Sequence, residues 1–306
     1  MVVAFGIALG LVAAFLQSVC YVISGGYVKR TGLPGWTLTA PQRAVMILPY
    51  AILAWMFRPD SMQGLERGLF ASTFACVVAI FTADSGLFQM QKHVEPSRTA
   101  PLQSVKIPIL ALMSFLAFGQ SFSFLQIIGI ALVLASAALL FGAGQRIPLP
   151  AWLWLLLCTG CYAVSDLSIG HALDLTRDAC GGVLRSSLFV LGITHLACSV
   201  FAVPVLVVQR LFGAPMPGLR EWLRYAVPYG FVWMVAMVFL LSCFSLSGVV
   251  LGAIAQSCRG LISVLLGWLL VRHGFADLEG ETPRTVFLRR IFAAVMIVIA
   301  MALYAS

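Results

Sequence analysis

The sequence predicts an all-α integral membrane protein with ten transmembrane helices in two inverted five-helix repeats. Three observations lead there. The 306 residues are 61% hydrophobic and only 10% charged, too little polar surface to coat a soluble globule of this size. About ten apolar runs follow one another with short polar or Pro/Gly-containing breaks, each long enough to cross a hydrocarbon layer that needs ~20 helical residues. Finally, Gln103-Ser104-Val105-Lys106 returns 153 positions later as Gln256-Ser257-Cys258-Arg259, both about ten residues into an apolar run.

The predicted spans are 2–27, 42–57, 68–91, 97–118, 123–143, 150–172, 184–208, 224–245, 248–271 and 287–305. All are read as helices, because lipid leaves the backbone no other hydrogen-bond partner. No basic residue precedes the first run and it is longer than a signal-peptide core, so it is expected to be retained. Gly119-Gln120-Ser121 allows only a tight antiparallel turn between the fourth and fifth spans. The stretch from Gly142 to Pro150, with Arg146, is the expected boundary between repeats 1–145 and 146–306.

The repeats are visible as offsets. Cys20-Tyr21-Val22-Ile23-Ser24 pairs with Cys161-Tyr162-Ala163-Val164-Ser165 at 141, Arg43 with Arg185 at 142, and the Gln-Ser-x-cation motifs at 153. Offsets that only grow fit insertions in the second copy. Five helices per copy is an odd number, so the copies must face opposite ways across the bilayer.

The net charge of +8 could indicate nucleic acid, but the basic residues stand in ones and twos at helix ends, where they anchor and orient. The loops on the side of the termini hold four of them (Arg58, Arg67, Arg177, Arg185) and the opposite loops thirteen. By the positive-inside rule both termini lie outside the cytoplasm.

Ten helices in two repeats, Arg43 at the start of the second helix, and Leu125-Gln126-Ile127-Ile128-Gly129-Ile130-Ala131-Leu132-Val133-Leu134-Ala135 at the end of the first repeat resemble the EamA-type members of the drug/metabolite transporter superfamily. The resemblance covers nearly the whole chain. It implies a basket-shaped bundle with a central cavity, alternating access, and export or exchange of small metabolites. It also implies cytoplasmic termini, against the charge count. One departure is Gln120, where many relatives carry Glu; at the matching end of the ninth helix stands Arg272-His273.

Lys106 and Arg259 are the candidate functional cations. A charge near the bilayer centre costs ~2.5–3.5 kcal/mol on insertion scales, so each should face protein or a wet cavity. Gln103 and Lys106, three apart, share a helix face, as do Gln256 and Arg259. One reading is a clamp for a carboxylate or phosphate, with Arg259 bidentate and Lys106 a point charge; in organophosphate and nucleotide-sugar relatives, basic residues on the fourth and ninth helices have this role. The other reading is an internal salt bridge with Asp84 or Asp166. Those acids are expected to partner Lys106 or Arg259, hold a substrate amine, or take up a proton. Tyr21 and Tyr162 occupy equivalent places and either line the cavity or pack.

His195 reads as a hydrogen-bonded packing residue. Pro101 and Pro108 should bend the fourth helix, and Gly10, Gly160, Gly170 and Gly267 should allow close helix contact. Cys158-Thr159-Gly160-Cys161 has redox spacing but lies inside a helix with nothing to activate a thiolate. No catalytic motif and no metal-ligand spacing is present, so neither cofactor nor metal is expected.

The expectation is a secondary carrier in a bacterial inner membrane, monomer or homodimer, whose partners are the lipid bilayer and a small substrate bearing carboxylate or phosphate, with no nucleic acid. The rivals are a lipid-phosphate flippase, an intramembrane enzyme, or a non-transporting subunit.

Overall fold

The computed structural model describes residues 1–91, 102–141, 148–272 and 284–306. Among the described residues all regular structure is helical. The helices are α1 (Val2–Thr31), α2 (Trp36–Ala44), α3 (Ile47–Met56), α4 (Glu66–Gln91), a 3-10 turn (Gln103–Val105) running into α5 (Lys106–Phe118), and α6 (Phe124–Phe141). They continue as α7 (Leu149–Thr176), α8 (Val183–Leu211), α9 (Leu219–Ser247), α10 (Val249–Ser257), α11 (Arg259–Arg272) and α12 (Arg284–Ala305). Five helices, α1, α4, α7, α8 and α9, are long and apolar enough to cross a membrane, and shorter apolar helices accompany them. The protein is therefore an integral membrane protein.

Three expected runs are broken. The run predicted over 42–57 begins earlier and divides into α2 and α3, with Pro41 inside α2. Arg43 thus lies in the last turn of α2 and not at a helix start. The fourth run, whose residues 97–101, Pro101 included, lie outside the described residues, enters as the 3-10 turn. Pro108 has no N–H to give the Ser104 carbonyl, which favours the tighter turn there.

The run predicted over 248–271 is two helices, with Cys258 between them. No proline marks that break. The Ser257 hydroxyl donates to the Ile254 carbonyl at 2.6 Å, one of the side-chain bonds that compete with the helical ladder. Both interruptions fall immediately before a cation, Lys106 in one case and Arg259 in the other. The tight turn expected after the fourth span is present: Gly119 caps α5 at φ 64°, a left-handed conformation that suits glycine.

The bundle is held by four close helix pairs, α4 with α7, α1 with α9, α6 with α12 and α3 with α8. Between lipid-solvated helices such pairing depends on fit and small residues more than on exclusion of water. Four apolar clusters result among the described residues, two of them large. One joins Ala14, Ile107, Leu110, Val133, Ile254 and Met301 from α1, α5, α6, α10 and α12. The other joins Ala13, Met46, Tyr50, Leu173, Leu191 and Leu240.

Of the glycines expected at contacts, Gly10 and Gly170 do face neighbours, Ala255 and Cys243 in one case and Val249 in the other. Gly160 has open space beside it, so the contact role expected for it is corrected. Gly267 lies outside the residues whose side chains are described. Among the described glycines the closest approach to another helix's backbone was not foreseen: a Cβ on Gly192 would sit 2.4 Å from the Ala54 backbone nitrogen, where α3 crosses α8. Backbone cannot yield as a side-chain tip can. Gly192→Val is expected to force the two helices apart, costing ~1–3 kcal/mol, and a lowered melting temperature in detergent checks it.

Candidate functional site

The two broken helices bring their polar motifs together. Lys106, at the start of α5, is 8% exposed, and its Nζ donates to Asp166 Oδ2 of α7 at 2.6 Å. It also donates to Gln256 Oε1 at the end of α10 at 2.9 Å. On the other side the Arg259 guanidinium donates to Gln103 Oε1. The pattern is reciprocal, since each cation bonds to the glutamine of the opposite motif. Sharing a helix face with its own glutamine, as the sequence predicted, is not what decides the partner.

Arg259 also lies 5.9 Å from the centroid of the Tyr21 ring, within cation–π range. Its backbone carbonyl is 3.0 Å from the Ser18 hydroxyl, which ties α11 to α1. Gln17 of α1 completes the arrangement: fully buried, it accepts from Gln256 Nε2 at 3.1 Å. Gln17 went unnoticed in the sequence, although Gln17-Ser18 is a third Gln-Ser pair inside an apolar run and was the available signal.

Asp84 corrects an expectation. It partners neither Lys106 nor Arg259. Arg43 Nη2 donates to its Oδ2 at 2.7 Å, and the Tyr162 hydroxyl donates to its Oδ1 at 2.7 Å. Arg43, placed by the break between α2 and α3, also lies over the Phe81 ring at 4.8 Å. Its Nη1 is buried without an acceptor. Read from the sequence, Arg43 stands at a helix start, where a basic residue needs no buried partner. Tyr21 and Tyr162 therefore differ despite their equivalent positions, one beside a cation and the other bonded to a carboxylate.

The two charge groups share α7. Tyr162 and Asp166 are one turn apart on the same face, so Arg43–Asp84–Tyr162 and Lys106–Asp166 hang from one helix. His195 is buried, with Nδ1 3.2 Å from the Thr194 hydroxyl and its ring 5.3 Å from that of Tyr50. Cys158 and Cys161 are unbridged. Among the described residues no three His, Cys, Asp or Glu side chains gather as a metal site.

Around the reciprocal cluster the free space is a crevice of about 10 Å³, lined by Gln103, Ser104, Lys106, Gln256, Ser257 and Arg259 among others. That is room for about one water. A far larger apolar groove of about 580 Å³ runs between the N-terminal part of α1, the start of α8 and the second half of α9. It has no lining residue in common with the crevice.

The model of the EamA-like transporter family matches residues 4–142. Over that stretch, a little under half of the chain, the sequence is similar to EamA members. The EamA family is part of the drug/metabolite transporter superfamily, and its members are membrane transporters. A solved crystal structure of a protein superposes on 97% of this chain and 95% of its own with a TM-score of 0.67. At 17% identity that likeness concerns the fold alone. No curated protein matches the sequence.

Proposed function

We propose that the chain is a secondary carrier for a small anionic or zwitterionic metabolite, bound near the membrane midplane and moved by alternating access. In this reading ten membrane-crossing segments form two inverted repeats, 1–145 and 146–306, with the substrate between them. The observation that carries it is the reciprocal bonding of Lys106 to Gln256 and of Arg259 to Gln103. A two-fold relation between halves would generate that exchange, and sites at the interface of inverted repeats on interrupted helices are a recurrent transporter design.

The helix pairing supports the same relation. Exchanging the halves turns the α4–α7 contact into α9–α1 and the α5–α7 contact into α11–α1, and all four occur. It leaves α6–α12 and α3–α8 unchanged, and these also occur. The family match over residues 4–142, ending near the expected boundary, fits a first repeat of that extent.

The substrate-binding set in this reading is Lys106, Arg259, Gln103, Gln256, Tyr21 and Asp166. Asp84 and Tyr162 enter through the adjoining ion pair. In the closed crevice the glutamine carbonyls and Asp166 stand where an anion would bind, so loading requires the halves to separate and these groups to give way. Uptake or counterflow of radiolabelled carboxylates, phosphates and amino acids by reconstituted liposomes tests the proposal. Saturable flux that varies with substrate is the expected result. Flux of a fluorescent phospholipid between leaflets, with none of any solute, would assign a flippase instead.

A further inference from the structure

We propose that the central site selects its substrate by charge number, favouring a solute with a single negative charge, a monocarboxylate, over zwitterions, dicarboxylates and phosphate monoesters. The inference rests on the carrier reading above and narrows it.

It comes from an asymmetry between two otherwise reciprocal cations. Lys106 has a carboxylate of its own, Asp166 at 2.6 Å. Arg259 has none: among the described residues only Arg43–Asp84 and Lys106–Asp166 form salt bridges, and the Arg259 guanidinium rests on the neutral Gln103 carbonyl and beside the Tyr21 ring. The nearby Arg43–Asp84 pair is already balanced, with both carboxylate oxygens engaged. The described charges of the centre are therefore three cations and two carboxylates, a surplus of one positive charge at Arg259.

Unbalanced charge is expensive where water is scarce. A monocarboxylate brings one negative charge, removes the surplus, and can take two parallel N–H bonds from the Arg259 fork once the Gln103 carbonyl moves aside. Gln103 and Gln256 then offer uncharged amides for the rest of the solute. A zwitterion would leave the surplus in place and set its ammonium against Lys106 for Asp166. A dicarboxylate, or a phosphate monoester carrying about 1.5 to 2 charges at neutral pH, would over-neutralise the centre.

The test uses the full chain in liposomes, with size-matched monocarboxylates, amino acids, dicarboxylates and phosphate monoesters as probes, for the wild type and for Asp166→Asn. The wild type is expected to move monocarboxylates with a preference of roughly tenfold or more, equivalent to ~1.4 kcal/mol. Asp166→Asn leaves Lys106 unbalanced and raises the surplus to two, so the ranking should turn toward dicarboxylates and phosphate monoesters. A wild-type preference for dianions or zwitterions, or an unchanged ranking in an active Asp166→Asn protein, overturns the inference and leaves the carrier reading standing. Absence of flux with every probe class overturns both. Should Asp166→Asn fail to fold, the wild-type ranking, together with thermal stabilisation of the wild type by each probe class, decides alone.

Discussion

Arg259→Ala is expected to lower solute flux by on the order of 100-fold while the protein still inserts and elutes as a folded species from detergent. The reason lies in what Arg259 touches. It is partly exposed to the crevice, it has no carboxylate partner among the described residues, and its described contacts are an amide carbonyl and an aromatic face. Its removal therefore strands no buried charge. The Gln103 carbonyl loses a donor that a water entering the vacated space can replace. A substrate anion, by contrast, loses charge-assisted bonds of ~2–5 kcal/mol. Arg259→Lys, which keeps the charge and loses the fork, should retain a part of the flux. An Arg259→Ala protein that transports normally would remove the anion site from the mechanism.

Lys106 should behave differently. Lys106→Met is expected to destabilise the protein by ~3 kcal/mol, because Asp166, only 14% exposed, would remain as an unpaired carboxylate. The double variant Lys106→Met, Asp166→Leu removes both charges and should recover most of that loss, since apolar replacement of a buried pair is close to neutral. Thermal unfolding in detergent measures both. The flux assay then separates the two roles the sequence left open for this lysine. A stable double variant without flux assigns Lys106 and Asp166 to transport, and a stable double variant with full flux reduces them to a structural bridge.

Much of the architecture was legible because lipid simplifies the code. Backbone groups must bond to one another, so runs such as those over α1, α7 and α8 declare helices by length and apolarity alone. The cations were equally visible, since Lys106 and Arg259 stand in stretches where charge is rare. Pairing was not. Asp84 and Asp166 are equivalent candidates on paper, and only the approach of α2 to α4 gives Asp84 to Arg43. The helix breaks also escaped detection where nothing but a serine hydroxyl and the chain's own packing mark them, as at Cys258. Gln17 was missed because a lone amide in an apolar helix has no meaning until Gln256 is placed beside it.

The crevice of about 10 Å³ bears on what the protein does when idle. A bilayer stores ion gradients only while nothing offers a continuous file of water across it. In this conformation the two cations are bound to internal groups, and the space between them holds about one water molecule. On the carrier reading proposed above, a centre closed in this way would act as a plug, with too little water to pass protons and two fixed positive charges to repel sodium or potassium. Many copies of such a carrier would then sit in an energised membrane without draining it.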